Sequence, residues 1–343
     1  MTQEFDHLLL ANQDCFNDII GQDEVKLMLK SALLAQRHVI IIGTPGIGKT
    51  TLGKNIAKLL PELKVNKDCS YHCIPEKPIC PECKNGKNKG SKTIPGSQRF
   101  IRVQGSPDLT VEDLLGDIDP IKALQYGPLS IEAFTPGKIF KANNGVLFFD
   151  ELNRCPEKLQ NALLQVLQEN KATIGSYDVD LEANFLFIAT MNPEDSTTEK
   201  LSDVLLDRFD VIYMSAPETS AMEEKIVTTH GKKLVMMPTD LLGIMTFFVR
   251  SLRHSAELEK KPSVRASIGL YERSQAHALL MNKKKVSIED LKAVLHSVLA
   301  HRIRLKPSLK YVKSPELFIT EEFKKMMATN IGKDLSTSEG DLP

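Results

Sequence analysis

Residues Gly43 to Thr51 read Gly-Thr-Pro-Gly-Ile-Gly-Lys-Thr-Thr. Gly43, Gly48, Lys49 and Thr50 fill the fixed slots of G-x-x-x-x-G-K-T, with Thr44, Pro45, Gly46 and Ile47 between them. Glycines at these positions let backbone N–H groups turn inward around a phosphate. A helix starting near Lys49 presents its positive end to the same anion. Lys49 is spaced to reach the β- and γ-phosphates, and the Thr50 hydroxyl to hold Mg²⁺, with Thr51 beside it in the first helical turn. A chance glycine-rich turn needs no strand before it and no helix after it. Here the apolar run Val39–Ile42 precedes the loop, and Leu52, Ile56, Leu59 and Leu60 follow at helical spacing. The pattern is that of a nucleotide site.

A pair of carboxylates comes next. Gly145-Val146-Leu147-Phe148-Phe149-Asp150-Glu151 is an apolar run of the kind that forms a strand covered on both faces. Open α/β sheets hold ligands at the carboxyl ends of their strands, which is where Asp150 and Glu151 fall. Asp150 is expected to hold Mg²⁺ through water, and Glu151 to orient and polarise the attacking water. The run Phe185–Thr190 is a second buried strand, and its continuation Met191-Asn192-Pro193 brings the Asn192 amide beside the carboxylates.

Four of the six cysteines crowd into Cys69-x₃-Cys73-x₆-Cys80-x₂-Cys83. Thiolates two or three residues apart can pinch one cation, and two such pairs close a tetrahedral shell. A polar loop of this composition buries no core of its own, so structural zinc is the clamp the spacing favours. Four thiolates also suit an iron–sulfur cluster, and redox disulfides or idle thiols stay open as well. His72 is a substitute ligand or an exposed loop residue. Lys84, Lys87, Lys89 and Lys92 read as a solvated charged loop, because no aromatic ladder accompanies them.

The elements that must position these residues follow from periodicity. Residues 1–13 read as a frayed N-terminal arm. A helix over 25–35 turns Val25, Met28, Leu29, Ala32 and Leu33 inward. Residues 64–98 form an insertion too long for an ordinary connection. Phe100–Gln104 is a strand, and Thr110 with Asp113 is a loose capping box. Turn signals over 117–138 mark a second insertion. Leu159, Leu163, Val166 and Leu167 face one way along a helix between Glu157 and Glu169. A polar hairpin covers 171–184 around Gly175-Ser176, and a last short strand runs from Val211 to Met214. Beyond Pro217 the pattern is helical, near 219–233, 238–256, 265–281 and 287–303, with Ser287–Asp290 as another capping box and no further strands. The break near 216 divides an α/β core over 14–216 from a smaller all-helical domain over 217–330, and 331–343 is a polar, disordered tail.

Composition excludes several classes. The 343 residues suffice for two cores, and 44 basic against 44 acidic side chains leave no net charge to attract nucleic acid or membrane. No apolar run approaches a membrane span, and Leu8-Leu9-Leu10 is too short for a signal-peptide core. Clustered cysteines are not a secreted disulfide framework. A soluble, cytoplasmic protein is expected.

Taken together, the motifs resemble the AAA+ ATPases, in the branch of magnesium-chelatase I subunits and MoxR-like ATPases. The resemblance covers roughly residues 14–305. It rests on Asp119-Pro120-Ile121-Lys122-Ala123-Leu124, Phe134-Thr135-Pro136-Gly137, Ala142-Asn143-Asn144-Gly145, Thr190-Met191-Asn192-Pro193-Glu194 and Leu206-Asp207-Arg208-Phe209. Asp150-Glu151-Leu152-Asn153-Arg154 looks closer to MoxR. The resemblance implies a P-loop NTPase core, a parallel sheet with helices on both faces, followed by a helical lid. It implies that Asn192 is the sensor-1 residue, Arg208 an arginine finger for a neighbouring subunit, and Arg265 the sensor-2 arginine, with Ile20 and Gly21 flanking adenine. It further implies a helix-2 insert over 117–138, a pre-sensor-1 hairpin over 171–184, and a ring, hexameric in this branch. Arg154 stays unassigned between an intersubunit contact and a solvated helix start.

The function expected is an ATP-hydrolysing ring motor that remodels a substrate protein, for metal insertion into a tetrapyrrole or a protein, with a separate von Willebrand A-type protein. Asp334-Leu335-Ser336-Thr337-Ser338 matches the D-x-S-x-S pattern of such domains by coincidence. A DNA-acting translocase is the alternative, since helicases of the same branch carry both inserts; the neutral charge weighs against it. A nucleotide-controlled scaffold is a third reading.

Overall fold

The computed structural model describes residues 3–11, 14–86, 88, 90–127, 130–169, 171–173, 180–193 and 201–330. The chain forms two compact units, one of residues 1–44 and 48–214 and one of 45–47 and 215–343.

Five strands make the sheet of the first unit: β1 (His38–Ile42), β2 (Phe100–Gln104), β3 (Gly145–Asp150), β4 (Phe185–Met191) and β5 (Phe209–Tyr213). Their order is β5-β1-β4-β3-β2, and every pairing is parallel. The three central strands are nearly unbroken apolar runs, and Ile40, Phe148, Phe149, Phe187 and Ile188 are fully buried. Such strands need cover on both faces, which is why the pattern is continuous rather than alternating. Helices α1 (Asp23–Leu34), α2 (Lys49–Leu59), α3 (Pro120–Tyr126) and α4 (Glu157–Glu169) belong to this unit. Leu159, Leu163, Val166 and Leu167 of α4 all enter the core. Thr110 and Asp113 do form a capping box, each side chain accepting from the other's backbone N–H.

Several expectations need correction. Residues Gln3–Leu10 are a helix rather than a frayed arm, because Phe5 and Leu9, one turn apart, are both buried. In α1 the inward stripe is Val25, Lys26, Leu29, Ala32 and Leu33, and Met28 is exposed. Lys26 lies in that stripe because its stem packs while its ammonium reaches Asp14 at 2.6 Å, which turns Met28 to solvent. The last strand starts at Phe209, two residues before expectation, so Arg208 immediately precedes it. The cysteine insertion is framed by an antiparallel ladder, Leu63–Asn66 with Ser91–Ile94, and contains a helical turn at Pro81–Lys84. The hairpin after α4 pairs Lys171–Thr173 with Asp180–Glu182; Gly175 and Ser176 at its tip lie outside the described residues, as does the tail from 331.

The second unit holds α5 (Ser220–His230), α6 (Thr239–His254), α7 (Val264–Leu280), α8 (Ile288–Leu299) and α9 (Pro315–Asn330). Its core includes Phe248, Leu270, Leu291, Leu299 and Phe318, and Phe248 meets Phe323 edge to face at 5.0 Å. Helix α9 was not anticipated from the sequence. The unit also contains a short antiparallel ladder, Leu258–Lys260 with Arg304–Leu305, where no strand was expected. In its interior Glu223 accepts two hydrogen bonds from Arg253, at 2.9 and 3.0 Å, and one from Ser267 at 2.5 Å. Burying that carboxylate is tolerable only because each oxygen is paired.

Candidate functional site

Parallel register brings the sequence motifs to one edge of the sheet. Ile42 pairs with Met191, Ala189 with Phe149, and Gln104 with Asp150. The phosphate-loop segment, Asp150-Glu151, Asn192 and Gln104 therefore all leave the sheet at its carboxyl edge. Gly43 is fastened there by its N–H, which donates to the Met191 carbonyl at 3.1 Å.

The loop from Gly43 leads into α2 through Gly48, whose φ of +105° is a conformation that favours glycine. A Cβ at Gly48 would also lie 3.2 Å from Ile19 Cδ1 and 3.6 Å from Met214 Cε. The segment read as flanking adenine thus borders the start of α2: Ile20 is half-buried and Gly21 turns with φ +66°. Lys49 Nζ donates to the carbonyls of Gly43 and, at 3.0 Å, Thr44. Thr50 and Thr51 occupy the first turn of α2, whereas Pro45, Gly46 and Ile47 group with the second unit.

At the end of β3 the two carboxylates diverge. Glu151 adopts φ +57°, ψ +52°, a left-handed turn that sends successive side chains in different directions. Asp150 Oδ1 accepts from the Thr190 hydroxyl at 2.6 Å, and Oδ2 pairs with Arg102 Nη2 at 2.5 Å. Glu151 Oε2 accepts from Gln104 Nε2 at 2.9 Å and pairs with Arg154 at 3.1 Å. Thr190, fully buried, does double duty: its oxygen also accepts the Glu151 N–H at 3.1 Å. One hydroxyl thereby fixes the carboxylate of Asp150 and the backbone of Glu151. Arg154 has a partner in Glu151, which a reading of it as a merely solvated helix start did not foresee.

Four residues of this constellation were missed from sequence: Arg102, Gln104, Gly105 and Thr190. Arg102 and Gln104 sit on β2 opposite β3, so only the strand order reveals them. Gly105 donates its N–H to the Asp150 carbonyl at 2.7 Å, and a Cβ there would stand 2.1 Å from the Glu151 carbonyl. Any side chain at that position pushes the carboxylate turn away.

Arg208 lies at the other edge. His38 pairs with Phe209, so Arg208 is level with the amino end of β1, whereas Gly43 follows its carboxyl end. Five residues of strand separate those levels by roughly 16 Å. Beside Arg208, the ring of His38 accepts the Phe187 N–H on Nδ1 at 3.3 Å. Burial, with the neighbouring Arg37, pushes the His38 pKa down to about 4. Arg265 belongs to the second unit, at the second residue of α7.

The four cysteines converge. Their Sγ atoms all lie within 4.8 Å of one another, and all four residues are buried. Cys69 and Cys80 sulfurs are 3.7 Å apart, close to the roughly 3.8 Å edge of a tetrahedron with Zn–S of about 2.3 Å. Backbone N–H groups of Ile79 and Cys80 donate to Cys73 Sγ, Cys83 N–H donates to Cys80 Sγ, and the Asn88 amide donates to Cys83 Sγ. Donors aimed at sulfur stabilise thiolate. Contacts with Cys69 and Cys80 hold the Cys73 thiol well below its ordinary range, and the same packing pushes Cys80 up. The donor set suits one tetrahedral cation. His72 is not part of it; its Nδ1 lies 3.4 Å from the Asn143 carbonyl.

Comparison with known proteins bears on most of the chain. Residues 88–211 match the family "ATPase family associated with various cellular activities (AAA)", residues 250–320 the AAA lid domain, and residues 15–75 "Magnesium chelatase, subunit ChlI". The chain is an AAA+ ATPase family member related to the magnesium-chelatase ChlI subunit. It is 28% identical to the chloroplastic ChlI subunit of Glycine max, over 90% of this chain and 78% of that protein. A ChlI homolog from Methanocaldococcus jannaschii is 26% identical, over 85% and 86%. Among solved structures, BchI in its complex with BchD of magnesium chelatase aligns at 22% identity and a TM-score of 0.48, over 86% of this chain and 98% of that one. A RuvB variant of Thermotoga maritima aligns at 17% identity and a TM-score of 0.50, over 85% and 73%, a likeness of fold alone. No helix among the described residues is long and apolar enough to cross a membrane.

Proposed function

We propose that this AAA+ chain binds Mg-ATP and hydrolyses it as one subunit of a ring that remodels a partner. The observation that carries the reading is the shared carboxyl edge. The phosphate-loop strand ends there beside Asp150, Glu151 and Asn192, with Thr190 holding the Asp150 carboxylate and the Glu151 backbone. Backbone N–H groups of the loop and Lys49 hold the phosphates. Thr50 and Asp150 are the residues that would hold Mg²⁺, which when bound neutralises charge on the β- and γ-phosphates. Glu151, kept within reach of Gln104 and Arg154, orients a water and takes its proton as the water oxygen bonds to the γ-phosphorus. The bond from that phosphorus to the bridging oxygen breaks, and ADP leaves. Asn192 positions the same water, and Arg265 and a neighbour's Arg208 bind the γ-phosphate.

Kinship with magnesium-chelatase subunits supports metal insertion as the remodelling task, with a separate von Willebrand A-type protein as partner. The four-cysteine cluster is read as structural zinc. Its sulfurs are too close together to enclose several irons, and its buried place in the core suits a clamp rather than a reaction centre. Turnover by the Glu151→Gln form tests the central claim: it is expected to fall by at least about 100-fold while ATP still binds. Turnover within twofold of the parent would show that Glu151 is not the base.

A further inference from the structure

Helix α4 runs from Glu157 to Glu169, its last turn carries Gln168, and that end lies beside Arg208. With its carboxamide oxygen turned to the guanidinium, Gln168 accepts from Arg208 Nε at 2.8 Å and from Nη2 as well. Nη1 donates to the Val204 carbonyl at 2.5 Å. Of the five donors of a guanidinium, three are thereby engaged, and one remains on each Nη. Both acceptors are neutral: among the described residues no carboxylate pairs with Arg208. Arg208, Gln168 and Asp207 line one cavity of about 370 Å³, but Asp207 forms no ion pair with Arg208. The arginine is held in place, and no carboxylate among the described residues neutralises it.

We propose that Gln168 is the positioning residue for Arg208, presenting its two remaining donors as a fork to the γ-phosphate of ATP on a neighbouring copy. The inference rests on reading Arg208 as acting in trans. Bidentate recognition of phosphate depends on the orientation of the guanidinium plane, and an arginine on a short turn before β5 has no strand hydrogen bonds to set that orientation. Gln168 supplies it from a rigid helix, and a glutamate in its place would hold the arginine but neutralise it.

The test is a double-mutant cycle in the full chain under assembling conditions, read by single-turnover hydrolysis of radiolabelled ATP so that slow variants stay measurable. Gln168→Met keeps size and helix propensity and removes the acceptor. It is expected to lower the hydrolysis rate about tenfold, with the ATP concentration for half-saturation unchanged within twofold. In the Arg208→Ala background the same change is expected to have no further effect. An unchanged rate for Gln168→Met alone overturns the proposal, and so does an equal loss in both backgrounds, which marks a merely structural role. If Arg208→Ala itself leaves the rate unchanged, the trans reading of Arg208 fails and the proposal with it, an outcome distinct from the other two.

Discussion

Thr190 shows how much of an ATP site can depend on one neutral side chain. Its hydroxyl donates to Asp150 and accepts from the Glu151 backbone, at 2.6 and 3.1 Å, in a fully buried setting. Removing that hydroxyl leaves an N–H without its acceptor and leaves the Asp150 carboxylate held by Arg102 alone. Groups that orient a metal-binding or reacting carboxylate cost about 10- to 100-fold in activity when lost. Thr190→Val, which preserves shape, is therefore expected to reduce ATP turnover by about that factor, while Thr190→Ser retains most of it. Steady-state ATPase assays of the two variants decide the matter; equal rates for Val and Ser would remove the hydroxyl from the account. None of this was legible along the chain. Gly43–Thr50, Asp150, Glu151 and Asn192 could be found because each is fixed by local spacing. Thr190 sat in plain view within a buried strand, and Arg102, Gln104 and Gly105 had no signal, because their role depends on β2 lying next to β3.

At the level of elements, the cysteine insertion changes character once folded. Its polar composition suggests a loop hung from α2, yet Cys69, Cys73, Cys80 and Cys83 join the same core cluster as Phe140 and Phe149. Asn143 and Asn144 stitch it to the sheet: the Asn143 amide donates to the Tyr71 carbonyl at 3.0 Å, and its oxygen accepts the Asn184 N–H at 3.0 Å. Those asparagines and Asn184 stand immediately before β3 and β4, the strands that carry the carboxylates and Asn192. Periodicity could not reveal this, since the insertion borrows its core from the sheet instead of building one. The energetic consequence is that metal loss should be felt by the whole first unit. Protein purified without chelator is expected to contain one zinc per chain by elemental analysis. Cys73→Ser, or metal stripping, should lower the unfolding midpoint by at least about 10 °C. An unaltered melting curve after complete stripping, or a preparation holding neither zinc nor iron, would sink the clamp.

For the whole molecule the governing fact is that Gly43 and Arg208 belong to opposite edges of one sheet, some 16 Å apart along the strands. No side-chain rotation carries Arg208 to its own chain's phosphate loop, and β5 is hydrogen-bonded to β1 over its full length. A site that uses both must take them from two copies in a head-to-tail contact, the arrangement that closes rings. This makes a prediction that dilution alone cannot mimic. Arg208→Ala keeps its own phosphate loop and Glu151 intact but offers no finger to its neighbour. Glu151→Gln offers a finger but cannot hydrolyse ATP. Each variant alone should be nearly inactive. Mixed in equal amounts and allowed to exchange, half of all sites retain Glu151, and half of those face a neighbour that retains Arg208. Roughly a quarter of the parent activity should return, and it should vanish if the variants are mixed after the rings have been cross-linked. Activity that stays at the level of the separate variants would mean that Arg208 serves no neighbouring site, and the head-to-tail assembly would lose its main support.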